Sequence, residues 1–328
     1  MAWHDRIPHR LRRAGRPAYP VWRAAQLWSE AGGLRMSAAM SFYGILSLAP
    51  LLLVLVGLFG WWMDRQALSQ VLVDQAGSMV GPQAAAVVQQ ALASTRQPAE
   101  GLLATAIGFG VLLFGATGVF GELQQALAEI WSQGRQARVG SAWWLTASLR
   151  LRGLAYILAF GFLVVASTVA STLLSVFSAS LGDFLLLETL LRLLNEAMVL
   201  GLWTLLFVAL MRLSAGPKPA TRFLLLGALV GAILFSLGRQ LLAWYLSTAA
   251  VVSAYGAAGS LVAVLMWIYF SSGVLLFAAA FARAAEDTRK RTAGEPVEEP
   301  AHAARASSNG QPRLRAVGGS SHRRRGSR

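Results

Sequence analysis

Six stretches of the chain contain no Asp, Glu, Lys or Arg: Met36–Trp62, Gly101–Gly121, Gly153–Gly182, Ala197–Met211, Phe223–Gly238 and Gly259–Ala282. Long uncharged runs mark membrane spans, because a helix satisfies every backbone polar group internally where no water is present. The fourth reaches spanning length when extended back through Leu190–Glu196, and the fifth continues past Arg239 to about Leu246. The pattern predicts an all-α, polytopic membrane protein with six transmembrane helices at about 36–62, 101–121, 153–182, 190–211, 223–246 and 259–282.

Between the spans the pattern changes. Val21–Ala31 sets Trp22, Ala25, Leu27 and Trp28 to one side and Arg23, Gln26 and Glu30 elsewhere, which suits a helix lying in the headgroup layer or packed on the bundle. From 63 to 100, Leu68, Val71 and Leu72, then Pro82 followed by Val87, Val88, Ala91 and Leu92, predict two short external amphipathic helices. The chain divides into a basic segment 1–35, a transmembrane domain 36–283 and a basic tail 284–328; from about Thr292 the tail is too poor in apolar residues to fold.

Charge then orients the bundle. The chain is 55% hydrophobic and 13% charged, yet carries a net +14. Of its 29 Lys and Arg, 25 fall in the two termini and the loops Glu122–Arg152 and Arg212–Arg222, against 4 in the other loops. Basic residues mark the cytoplasmic side, so both termini are expected in the cytoplasm and the first span is expected to stay in the membrane, with no cleavable signal ahead of it. The tail ends in Arg323, Arg324, Arg325 and Arg328 with no aromatic residue interleaved for base stacking, which favours anionic lipid headgroups over nucleic acid as partner.

Candidate chemistry is sparse. There is no Cys, and the four His, at 4, 9, 302 and 322, lie outside the spans, so neither a zinc site nor a catalytic triad is expected, and no cofactor. Within the spans Gly227 and Gly231 form a GxxxG with Gly238 on the same face, suited to packing inside the bundle or to homodimerisation. Ser167, Ser171, Ser175 and Ser178 form a hydroxyl stripe, either interhelical glue or a polar lining. Glu196 and Arg239 are ionisable groups at membrane depth, functional candidates that could pair with each other. Pro50 frees a backbone carbonyl, and Ser47 is close enough in sequence to bond it.

Particular motifs are also familiar. Met36–Leu51 (MSAAMSFYGILSLAPL), Phe114–Gly121 with Leu127, Ile130 and Trp131, and Tyr245–Ser247 followed by Tyr255–Gly259 and Trp267–Tyr269 resemble, in order, blocks of the YihY/BrkB family of bacterial inner-membrane proteins, once labelled ribonuclease BN. The resemblance implies a six-helix inner-membrane protein, and transport is commonly supposed for the family. The chain departs from the pattern at Ala278, Ala279 and Ala280, where relatives end the last span in Gly, Ala, Glu, and at Ala128, where Asn is usual; Arg239 stands where Lys is common.

The expected function is transport or export of a lipid-like or amphiphilic substrate, through a path drawing on Tyr43, Ser47, Pro50, Glu196, Arg239, Tyr245, Tyr255 and Trp267. No nucleotide-binding GxxxxGK[ST] is present, so the chain would not be nucleotide-driven by itself. The alternative is a non-transporting envelope scaffold, with membrane lipids and a possible second copy as partners. A ribonuclease is disfavoured, because paired carboxylates or His are missing from the ordered cytoplasmic segments.

Overall fold

A computed structural model describes residues 19–59, 65–80, 82–94, 102–132, 185–212, 214, 218–248 and 258–294. These form eight helices: α1 (Tyr19–Glu30), α2 (Gly33–Phe59), α3 (Arg65–Val80), α4 (Pro82–Ser94), α5 (Leu102–Ser132), α6 (Leu185–Arg212), α7 (Thr221–Thr248) and α8 (Gly259–Thr292). Among the described residues there is no strand. Among the described residues, three segments are long and apolar enough to cross a membrane, Leu193–Arg212, Thr221–Tyr245 and Gly259–Thr292. Helices α2 and α5 cover most of the first expected span and all but the first residue of the second, and the third, with its serine stripe Ser167, Ser171 and Ser175, lies outside the described residues.

Helices outrun the uncharged stretches. Helix α5 continues past Gly121 to Ser132, and α8 past Ala282 to Thr292. Charge ends a span but not a helix, and on α8 the pairs Arg283–Asp287 and Lys290–Glu286, four residues apart, support the extra turns. Pro82 opens α4, where its missing N–H has no intrahelical partner to lose. Pro50, by contrast, lies inside α2. Ser47 does not bond the carbonyl that Pro50 frees, on Leu46; its hydroxyl donates to the Gly44 carbonyl at 3.0 Å. A helical serine reaches back toward the N-terminus, so the acceptor is three residues behind it and not one.

Helix α8 is the hub: it touches α1, α2, α4, α5 and α7, while α5 packs on α2 and α6 on α7. One large core joins Met36 and Met40 at the start of α2, Leu127 and Trp131 at the end of α5, Met211 at the end of α6, Ala228 near the start of α7, and Leu276–Ala284 near the end of α8. We call this the closed end. A smaller cluster at the far end seats Val88 and Leu92 of α4 on Leu48 and Leu52 of α2.

Without a hydrophobic drive between apolar helices in lipid, close approach has to come from shape. A methyl group added at Gly115 would lie 2.6 Å from Ser47 Cβ, one at Gly118 would strike the Tyr43 ring, and one at Gly44 would meet Ile268 Cγ2 at 3.3 Å. These contacts set α5 against α2 and α2 against α8. Gly227 and Gly231 face Ala278 and Ala282 of α8, and Gly238 faces the Phe270 ring, so the small-residue face of α7 is covered by the chain's own last helix.

Helix α1 packs along α8. Its buried residues are Ala24 and Leu27, while Trp22, which spacing places on the apolar side with Leu27, is 58% exposed. Trp28 fills the notch left by Gly33, where a side chain would collide with the indole, and Gly32 closes the turn between α1 and α2 in the left-handed region at φ 71°.

Candidate functional site

The closed end is built on a run of small residues. Ala278, Ala279, Ala280, Ala282 and Ala284 are all fully buried, which lets α7 come in at its glycines and lets the aromatic residues of neighbouring helices fill the remaining space. Phe235 sits at the centre of that filling: its ring lies 4.4 Å from Trp203, 6.0 Å from Phe207 and 6.0 Å from Trp267. Edge and tilted contacts of this kind are favourable for the ring quadrupoles.

Directly beyond the alanines α8 carries a charged face in a buried setting. Arg283 Nε stands 3.3 Å from Asp287 Oδ1, and its Nη1 stands 3.8 Å from Glu286 Oε2; Lys290 Nζ lies 3.5 Å from Glu286 Oε1. The Arg283 and Asp287 side chains are only 7% and 6% exposed. Charges this dry persist only when paired, because desolvation of a lone ion costs several kcal/mol. By sequence Arg283 closes the transmembrane domain, and Glu286, Asp287 and Lys290 open the basic tail. The signal was present in the spacing of Arg283, Glu286, Asp287 and Lys290, which share one helical face, but burial of that face is imposed by other helices.

The residues expected to line a path divide among three places. Tyr43 and Ser47 lie in the seam between α2 and α5, with the Tyr43 ring 5.8 Å from Phe114 and against Gly118. Trp267 belongs to the aromatic cluster around Phe235. Glu196 is exposed on α6, Arg239 half-buried on α7 and Tyr245 exposed near the end of α7. Glu196 and Arg239 form no ion pair with each other. The contacts of Phe235 with both Trp203 and Phe207 place Glu196 about one helical turn further toward the far end than Arg239, given a rise of about 1.5 Å per residue. Pro50 is half-buried in α2, and Tyr255 lies outside the described residues.

At the far end, α3 and α4 enclose a groove of about 340 Å³, lined by Gln66, Ser69, Gln70, Asp74, Gln89 and Leu92 among others. Among the described residues, no three His, Cys, Asp or Glu side chains gather as metal ligands would.

The family described as Virulence factor BrkB matches residues 24–303. The chain belongs to the BrkB family. A UPF0761 membrane protein of Alkalilimnicola ehrlichii is 28% identical over 283 residues, covering 84% of this chain and 60% of that protein. A UPF0761 membrane protein of Actinobacillus pleuropneumoniae is 27% identical over 259 residues, covering 78% of this chain and 87% of the relative. No solved structure matches the chain. The BrkB match takes in all of the closed end, from Ala24 on α1 to Asp287 on α8. Ala280, which stands where the resemblance placed a glutamate, is fully buried in this member, so its position is spent on helix packing.

Proposed function

We propose that the chain is a six-span protein of the bacterial inner membrane, with both termini cytoplasmic, that moves an amphiphilic, lipid-like substrate and is closed at its cytoplasmic end. The charge asymmetry supports the orientation. The gathering of the start of α2, the ends of α5 and α6, the start of α7 and the end of α8 in one core supports the alternation of directions. Tyr19 of α1 accepts a hydrogen bond from Arg291 Nη1 at 3.1 Å, which brings the two terminal segments to the same end. Because the chain has no Cys, single cysteines can report on this directly. Ser29→Cys and Gly294→Cys are expected to react with an impermeant maleimide only after inverted vesicles expose the cytoplasmic face. Labelling from the periplasmic side of intact spheroplasts would overturn the topology.

The observation that carries the transport reading is the contrast between the two ends. At the closed end the charges of Arg283 and Asp287 are dry and paired, whereas toward the far end Arg239 is half-buried in an apolar part of α7 with no acid partner among the described residues. An intramembrane cation with no acid partner among the described residues suits a polar headgroup, and the exposed apolar faces of α6 and α7, including Leu205, Leu229, Ile233 and Leu237, suit acyl chains. In proteoliposomes containing labelled phospholipid or lysolipid, Arg239→Ala is expected to reduce flux at least about tenfold at equal reconstitution, the size of a lost charge-assisted contact. A scaffold reading draws on the tight seam at Tyr43 and Ser47, where no opening separates α2 from α5. Wild-type protein that moves neither lipid nor amphiphile would favour the scaffold.

A further inference from the structure

Helix α1 crosses the level at which α8 changes character. Trp28 lies 3.9 Å from the position a side chain at Gly273 would take, within the uncharged part of α8 that ends at Ala282. At its other end Tyr19 meets Arg291, well into the charged part. The surface of α1 that faces away from α8 therefore spans the boundary between hydrocarbon and water in a membrane protein.

Among the described residues, that surface is left uncovered. Trp22 is two residues from the buried Ala24 and so on the opposite side of the helix; it is 58% exposed, with Val21 at 50% and Tyr19 at 38%. Beside them lie two cations whose contacts are neutral. Arg23 Nη1 donates to Gln26 Oε1 at 3.5 Å, and Arg291 Nη1 donates to the Tyr19 hydroxyl. The acids nearest on α8, Glu286 and Asp287, are engaged by Arg283 and Lys290. An exposed indole flanked by guanidinium groups with no acid partner among the described residues, at the apolar boundary, has the complement of a phospholipid surface: the ring for the acyl–glycerol layer and the arginines for phosphate oxygens.

We infer that Trp22, Arg23, Tyr19 and Arg291 form a docking surface for anionic phospholipid headgroups, which clamps α1 onto α8 at the cytoplasmic side. The inference rests on the membrane setting and the position of the closed end, and not on transport, so loss of flux leaves it standing.

The test uses the full chain in nanodiscs of mixed phosphatidylglycerol and phosphatidylcholine, with retained lipids counted by native mass spectrometry. The wild type is expected to keep phosphatidylglycerol in preference, and Arg23→Gln with Arg291→Gln to lower that preference about tenfold, since each surface arginine contributes on the order of a tenfold factor or less. Changing Arg323, Arg324, Arg325 and Arg328 to Gln is expected to leave the preference in place. A preference lost with the tail variant and kept with the α1 variant would overturn the inference, as would equal retention of both lipids by the wild type. Displacement of the lipid by millimolar inorganic phosphate would also overturn it, marking a simple anion site. If the double variant fails to fold, Trp22 emission, taken as the difference between wild type and Trp22→Phe, decides. Stronger quenching by brominated phosphatidylglycerol than by brominated phosphatidylcholine supports the surface, and equal quenching rejects it.

Discussion

Replacing Arg283 with Ala is expected to destabilise the protein by about 3–5 kcal/mol, the range for removing one partner of a buried ion pair. The reason is what remains, not what is removed. Asp287 is 6% exposed and would keep its charge while losing the guanidinium 3.3 Å away, and Glu286 would lose Arg283 and keep Lys290. Replacing the ions together removes the problem, because well-packed apolar side chains often substitute for a buried pair at little cost. The double variant Arg283→Met with Asp287→Leu is therefore expected to recover most of the stability that Arg283→Ala loses. Thermal or SDS unfolding in detergent reads both. A loss below about 1 kcal/mol for the single variant, a size typical of surface pairs, would mean that the pair is hydrated. A double variant as unstable as the single would place the cost in lost packing of the arginine stem.

The second large effect concerns Gly227. In a helix interior, Gly to Ala ordinarily stabilises by about 0.5–1 kcal/mol, through the backbone entropy that glycine loses on folding. Here the sign is expected to reverse. A methyl group at 227 would sit 2.6 Å from the Ala278 carbonyl oxygen and 2.7 Å from Ala282 Cβ, and neither is the movable end of a side chain. Helices α7 and α8 would have to separate, at about 1–3 kcal/mol for overpacking, and Gly227→Val would cost more. Gly201 on α6 has no described atom within 4 Å of an added methyl group, so Gly201→Ala is expected to be neutral or stabilising. Equal effects at the two glycines would remove the close α7–α8 approach as the explanation. Self-association lost in Gly227→Val without any loss of monomer stability would return the glycine face to a second copy of the chain.

Much of the architecture was legible from composition along the chain. An uncharged run of some twenty residues has one stable form in lipid, and the helices α6, α7 and α8 fall on the last three such runs. Helices α3 and α4 were legible as short helices, because Leu68, Val71 and Leu72, then Val87, Val88, Ala91 and Leu92 after Pro82, recur at helical spacing. Family membership was written in the order of three motifs, and the match to residues 24–303 contains them all.

Side selection was not legible. Within the spans nearly every position is apolar, so periodicity does not say which face meets a neighbour, and shape complementarity decides instead. Spacing grouped Trp22 with Leu27 on the apolar side of α1 without saying which residues meet protein, and the smaller Ala24 is what is buried there. The glycines of α7 announced a close approach without naming the partner, and the partner is the alanine run of α8. Ser47 was near enough in sequence to serve the carbonyl freed by Pro50, but helix geometry aims it at Gly44. The charged turn from Arg283 to Lys290 reads locally as the start of a soluble tail. Only the helices that converge there turn it into a buried ion-pair network, because burial is a property of neighbours distant in sequence and a residue's own polarity does not determine it.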